Sequence, residues 1–439
     1  MTRRRIFVII GVVTLLAIAG YAVYSRFMAP TRILVVNALK AQQADITLNN
    51  DSRHIQVECV EVEEMGSLED YDAIIVYARR IFLTDEQMAE VKRAAEKGVP
   101  IFTKTLRTSD FVENHNLDEQ QIATLQQYFD NENRQNFRNG LRYLRRLATP
   151  HRWGDQTFDK PVEVPSNMFY HRQYGQYFKS SEELTSYLKT KGLYHPDGPC
   201  IALISGITFP MEGNRQHVDT LITLLTQQGL NVYPLTGMGK KREQLLRALE
   251  PDAVVYLPMG RIGNDTLIQW MQEKNIALFC PFPVSVSHDE WMNESIPMSS
   301  GSKNARIVIP EIDGGMAPYC IGTQNPDPQG YQMYTAETER CRAFAEHVAR
   351  YLSLRTKPNR EKRIAIGYFR RPGNDALLTS GMEVIPSMYN LLQRLRNEGY
   401  DVSGLPPTLD AFARTIHQAA DHPMIVDIED YNRWISELI

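Results

Sequence analysis

Short runs of aliphatic and β-branched residues alternate with helix-spaced stretches along most of this chain. That alternation restricts it to parallel sheets covered by helices, an α/β fold. The first set has strand-type runs at 32–37, 55–62, 73–77 and 99–103. Between the last two lies 84–97, with helical spacing and Asp85 and Glu86 in its first turn. A second set opens at Cys200, with strands at 200–205, 231–235, 253–257 and 277–280. Helices at 216–228, 241–249 and 266–274 separate them, a doubly wound order of the Rossmann or flavodoxin kind. A third set opens with a strand at 363–369, then a glycine-containing loop and a helix at 385–398. The openings Ile33-Leu-Val-Val, Ile201-Ala-Leu-Ile and Ile364-Ala-Ile-Gly look alike, but no fixed period relates them. The sequence stops at Ile439 inside an amphipathic stretch, so the third unit reads as incomplete and the chain as an N-terminal piece.

The N-terminus adds a second constraint. Arg3, Arg4 and Arg5 precede an uncharged run at 6–25, closed by Arg26. A helix of about 20 apolar residues crosses a hydrocarbon core of about 30 Å. The arginines would stay in the cytoplasm and send the rest across. The run is longer than the apolar core of a cleaved signal peptide, so an uncleaved signal-anchor is expected. The expected divisions are 1–29 (cytoplasmic tip and transmembrane anchor), 30–150 (first α/β unit with a helical extension) and 151–198 (irregular aromatic and His connector). They continue with 199–330 (second α/β unit), 331–361 (helical linker) and 362–439 (start of a third unit).

Charge excludes one class of partner. With 48 basic and 52 acidic residues the net charge is −4, so no nucleic-acid surface is implied. The five cysteines, at 59, 200, 280, 320 and 341, have no Cys-x-x-Cys spacing and read as buried free thiols.

Candidate chemistry sits in a few loops. Gly-Leu-Tyr-His-Pro-Asp occupies 192–197. His195 precedes a proline and is biased to extended backbone. A His beside Asp197 can ligate a metal or relay a proton, or Asp197 can simply cap a turn. Pro-Glu-Ile-Asp-Gly-Gly occupies 310–315. On an extended strand Glu311 and Asp313 would share a face, where they could bind a cation or take a proton. Gly314 and Gly315 would let a flat ligand approach the backbone. The plainer reading is a strand end and a turn with solvated acids. Arg370 and Arg371 could grip ligand carboxylates or be ordinary solvated charge. Residues 206–213 follow a strand but lack a phosphate-loop pattern, and no nucleotide site is found. His151, Trp153, Tyr170, His171, Tyr174 and Tyr177 make the connector aromatic. His and Tyr can be haem ligands, although such stretches more often pack between domains.

Taken in order, these blocks resemble one family. The Asn-rich turn and helix at 131–144, the 192–197 hexapeptide, the doubly wound unit, the 310–315 hexapeptide and Arg-Pro-Gly-Asn-Asp at 371–375 resemble the large subunit of cobaltochelatase and magnesium chelatase (CobN-like). Met382 and Glu383 stand where that family has Leu and Asp. The resemblance implies binding of a tetrapyrrole, either haem or a cobalt-free corrin precursor, with divalent Fe or Co as the exchanged metal. Glu311 and Asp313 are the candidate catalytic acids of this stretch, while the resemblance places the family's catalytic acids in a later region. His195, Asp197, Gly314, Gly315, Arg370 and Arg371 would contact the ring, and His195 would be a metal ligand. In the family, ATPase subunits drive insertion from the cytoplasm, and the anchor conflicts with that arrangement. The chain therefore looks closer to the membrane-anchored branch linked to haem uptake (HmuS type), removing iron without ATP at the periplasmic face of the inner membrane. The alternatives are cobalt insertion in cobalamin biosynthesis with ATPase partners, or a non-catalytic tetrapyrrole-binding module with its catalytic region elsewhere. The expected partners are the inner membrane, the ring, and either ATPase chelatase subunits or haem-uptake proteins.

Overall fold

The computed structural model describes residues 3–78, 83–105, 113–164, 167–173, 175–205, 214–294, 298–327, 330, 332–367, 378–379, 382–419, 429 and 432–433. They form two compact units, Met1–Ala349 and Arg350–Ile439.

Helix α1 (Arg3–Phe27) leads into the first sheet. Its apolar side chains Val12, Leu15, Leu16, Ile18 and Tyr21 are exposed. Among the described residues no helix is long and apolar enough to cross a membrane. The C-terminal end of α1 is tied down. Phe27 stacks on Trp153 at 5.4 Å, and the Trp153 amide donates to the Phe27 carbonyl at 2.8 Å.

The first sheet contains β1 (Thr31–Val36), β2 (Ile55–Val60), β3 (Ala73–Ala78) and β4 (Ile101–Thr105), all parallel in the order β2-β1-β3-β4. Helices α2 (Lys40–Leu48), α3 (Asp85–Glu96), α4 (Glu119–Asp130) and α5 (Arg134–Ala148) accompany it. Strand side chains alternate between faces, and both faces here are apolar. Ile33, Val35, Ile75, Tyr77 and Phe102 pack on Leu125, Phe129, Phe137 and Leu141 of α4 and α5. Leu34, Val36, Ile74, Val76 and Ile101 pack on Val91 and Ala94 of α3. Thr84 and Gln87 exchange the side-chain bonds of a capping box, which starts α3 where the sequence places it.

The second sheet runs β10-β9-β7-β8-β5-β6. Its parallel strands are β7 (Cys200–Ile204), β8 (Asn231–Leu235), β9 (Ala253–Tyr256) and β10 (Ala277–Phe279). The stretch expected to be an irregular connector contributes β5 (Phe169–Tyr170) and β6 (Tyr177–Phe178), antiparallel at the edge, and α6 (Ser181–Thr190). Crossovers are α7 (Gln216–Gln227), α8 (Gly239–Leu249) and α9 (Asp265–Glu273). A third, three-stranded sheet joins β11 (Phe282–Pro283), β12 (Cys320–Pro326) and β13 (Gln332–Ala336). Short helices α10 (His288–Asn293), α11 (Ser300–Lys303) and α12 (Ile309–Ile312) lie between its strands in sequence, and α13 (Thr338–Thr356) follows β13.

In the second unit the expected strand at 363–369 is not formed over 363–367, because no described segment pairs with it and Ile364 stays exposed. The unit holds a small antiparallel pair, β14 (Leu378–Thr379) with β15 (Met382–Glu383). Helix α14 (Val384–Asn397) lies where it was expected and packs on α15 (Leu409–Ala419) through Tyr389 and Phe412, 5.6 Å apart. All five cysteines are free, and burial pushes the Cys59, Cys200, Cys280 and Cys341 thiols up to about 12.

Candidate functional site

Residues 304–316 fold over the carboxyl ends of β9 and β10. The Gly260 amide donates to the Ala305 carbonyl at 2.8 Å, Met316 to Leu278 at 2.8 Å, and Cys280 to Met316 at 2.9 Å. Asn304–Val308 is a π-helical turn that runs directly into α12. Single π turns are rare and recur at functional sites. The extended strand expected for Glu311 and Asp313 is therefore corrected to a helical segment. The β-branched run at 307–309 reads as a strand, but Pro310 fits a helix's first turn. Gly314, at φ +86, ends the segment, and the Gly315 amide closes back on the Pro310 carbonyl at 2.8 Å.

This geometry separates the two acids. Successive helical residues turn by about 100°, so positions two apart face away from each other. Asp313 is buried and accepts from Arg261 Nε at 2.8 Å and from the Ile262 amide at 3.1 Å. Arg261 also reaches Asp265 at 2.7 Å. Asp313 thus fastens the 310–315 loop to the loop after β9. Glu311 is exposed. A Cβ on Gly315 would lie 2.6 Å from Cys280 Sγ and 2.7 Å from the Pro310 carbonyl, so this glycine serves packing within the protein.

Around Glu311 lies an unusual apolar surface. Ile312 is 74% exposed, Met259 66% and Val308 48%. Val308 and Ile312 sit about one turn apart, and the Gly260–Ala305 and Arg261–Asp313 bonds hold the Met259 loop against them. Several large apolar side chains left in water on two joined loops mark a contact surface. Glu311 and Arg261 place a carboxylate and a guanidinium at its edge.

The 192–197 hexapeptide lies elsewhere. Asn231, the first residue of β8, accepts from the His195 amide at 2.9 Å and donates to the carbonyls of His195 and Gly198 at 2.7 and 2.8 Å. His195 Nε2 is 3.0 Å from the Thr226 carbonyl, and Asp197 is exposed. The turn therefore sits at the amino ends of β7 and β8. The 310–315 loop caps the carboxyl ends of β9 and β10. In a parallel sheet these are opposite edges, so the two motifs are not brought together. Arg370 and Arg371 lie outside the described residues. Among the described residues no group of three or more His, Cys, Asp or Glu could hold a metal ion. The aromatic connector packs internally: Trp153 stacks on Phe27, and His171 meets the edge of Tyr187 at 5.1 Å.

Three groups were missed by sequence reading. Arg261 is one. His217 is the second: it is buried 5.1 Å from the Tyr334 ring, and burial, then Arg306, lowers its pKa to about 3. The third is the pair His288 and Glu337, joined at 2.9 Å, with the Thr323 hydroxyl donating to the same carboxylate oxygen at 2.7 Å. Their separation by 49 residues leaves no local signal. The Glu337 hydrogen bond raises the His288 pKa above its ordinary 6.5. A raised folded-state pKa gives stability that is complete below the unfolded value and is lost as pH rises through the folded one. The melting temperature of the protein should therefore exceed that of His288→Gln at pH 5.5, and the difference should shrink as pH climbs past 6.5. A difference that does not vary with pH would refute the ion pair.

Comparison with known proteins gives a consistent result. A family model described as CobN/Magnesium Chelatase matches residues 126–439. The chain is 26% identical over 282 residues to a magnesium-chelatase subunit of Chlorobaculum parvum, covering 60% of this chain and 22% of that protein. It is 25% identical over 226 residues to aerobic cobaltochelatase subunit CobN of Pseudomonas aeruginosa, covering 47% and 18%. The catalytic subunit of cobaltochelatase from Mycobacterium tuberculosis superposes with a TM-score of 0.66 at 18% identity, over 93% of this chain and 34% of that one. That last likeness establishes a shared fold. The chain spans about a fifth to a third of the length of these proteins.

Proposed function

We propose, from the premise that this chain belongs to the CobN/magnesium chelatase family, that it binds a tetrapyrrole for metal exchange on the surface formed by Met259, Val308, Ile312, Glu311 and Arg261. The observation that carries this reading is the exposed apolar surface beside an exposed carboxylate. A tetrapyrrole is a flat apolar disc with acidic side arms, so the disc would lie on the aliphatic side chains and a ring carboxylate would meet Arg261. Metal insertion releases two pyrrole protons, and removal returns two. Glu311 is the group in reach of solvent that would carry them. Asp313 is the positioning residue that holds the loop. His195 and Asp197, at the other edge of the sheet, take no part in this reading. The expectation for Arg370 and Arg371 as partners of ring carboxylates rests on sequence alone.

The reaction we favour is ATP-independent removal of iron from haem, with the bulk of the chain at the periplasmic face and the uncharged run at 6–25 as the inner-membrane anchor, an assignment that rests on the sequence. Support comes from the three arginines before that run. A second reading is cobalt insertion into a corrin ring with ATPase partners, favoured by the likeness to subunits of cobaltochelatase and magnesium chelatase. The two separate in one experiment. The full chain in detergent is given haem anaerobically without ATP, and metal-free porphyrin fluorescence is followed. Fluorescence that grows with protein concentration supports removal. Binding of haem with no loss of metal sets removal aside in favour of a binding module. No response to haem, together with binding of a cobalt-free corrin, shifts the case to insertion.

A further inference from the structure

A small cavity of about 150 Å³, lined by none of the residues of the 310–315 loop, lies between α6, α7 and β8. Its walls include Leu188, Leu193, Ile222 and Val232, with His171 and Arg172 among the polar residues. Two stretches singled out in the sequence meet here, the 192–197 hexapeptide through Leu193 and the aromatic connector through His171. A cavity on the order of 150 Å³ with an aliphatic wall has room for a benzene-sized molecule.

The charge around it has one sign. Among the described residues no acidic side chain lines the cavity. Arg172 is exposed and, among the described residues, its guanidinium has no acidic partner. Burial lowers the His171 pKa to about 4, with Arg172, Arg215 and Lys191 acting in the same direction. The ring is therefore neutral near pH 7. Its Nδ1 accepts from the Gln173 amide at 3.1 Å, which leaves the proton on Nε2. No described residue accepts from that Nε2–H.

We infer that this cavity binds a small carboxylate with an apolar body of about six carbons, its body against Leu188, Leu193, Ile222 and Val232 and its oxygens on Arg172 and the His171 Nε2–H. The aliphatic wall supplies burial, and the cations and the N–H supply charge-assisted bonds. The inference is independent of the tetrapyrrole surface and holds whichever ring that surface prefers.

Benzoate tests it, with benzyl alcohol as the neutral molecule of similar size. Both are titrated into the full chain in detergent and followed by calorimetry. Benzoate should bind saturably and at least tenfold more tightly than the alcohol. Arg172→Gln, an exposed change that leaves the core alone, should weaken benzoate about tenfold and leave the alcohol unchanged. Leu193→Trp should fill the cavity and remove both. Equal binding of the two molecules, or benzoate binding indifferent to Arg172→Gln, would overturn the inference. So would benzoate binding retained in a folded Leu193→Trp protein. If Leu193→Trp does not fold, the Arg172→Gln comparison decides.

Discussion

Replacing Arg145 with alanine is expected to destabilise the protein by about 3–5 kcal/mol, the upper range for single substitutions. Arg145 lies in α5 and is fully buried. It donates from Nη1 to Thr31 Oγ1 at 2.6 Å and to the His54 carbonyl at 2.7 Å. Nε donates to the Gly154 carbonyl at 2.9 Å and Nη2 to the Trp153 carbonyl at 2.6 Å. One side chain therefore satisfies a hydroxyl at the start of β1, the residue before β2 and the turn after α5. Removing it leaves buried acceptors without donors, each costing about 1–3 kcal/mol, and leaves a cavity. The Trp153 turn also holds the end of α1 through the Phe27 stack, so α1 should loosen. Arg145→Lys should recover little, because an ammonium cannot reach four acceptors in a planar fork. Chemical denaturation followed by circular dichroism measures the effect. A change below about 1 kcal/mol would show that this network is not what locks the first sheet.

The second large effect separates the two acids of the 310–315 loop. Asp313→Ala should destabilise the protein by about 2–4 kcal/mol, since it strips Arg261 of its buried partner and leaves the Ile262 amide unsatisfied. It should also weaken ring binding, by releasing the loop. Glu311→Ala should change the unfolding free energy by no more than about 0.5 kcal/mol, as exposed substitutions do. It should slow metal exchange by about 10²–10⁴-fold, the usual contribution of a positioned proton carrier. Stability and exchange rate measured on both variants distinguish the roles. Loss of stability in the Glu311 variant, or unaltered exchange in it, would reverse the assignment.

The fold was largely legible because its information is local. Parallel strands buried on both faces appear as continuous apolar runs. Thus 31–36, 200–204, 231–235 and 253–256 form strands within a residue or two of expectation. Caps such as Thr84 state where helices begin. What was not legible depends on distant partners. Strands β5 and β6 have two residues each, too few to show a period. The 307–309 run has strand composition, yet the backbone around it is drawn into helical turns that lie over β9 and β10. Composition could not say which of Glu311 and Asp313 would be buried, because the choice depends on Arg261, 52 residues away from Asp313. The opposite placement of the two hexapeptides was equally hidden, since sequence order says nothing about which edge of a sheet a loop occupies. The 363–367 run shows the converse, an apolar stretch that has no strand partner among the described residues.

The most direct test of the tetrapyrrole surface is an absorption titration of the full chain in detergent, with haem and with a cobalt-free corrin. Wild type is compared with Ile312→Asp. Ile312 is exposed, so the substitution should leave the fold intact while putting a charge on the apolar face. The expected result is a saturable shift of the ring's absorption band for at least one of the two rings, with affinity at least tenfold weaker in Ile312→Asp. Equal affinity in the two proteins, or no shift with either ring, would contradict the assignment of this surface.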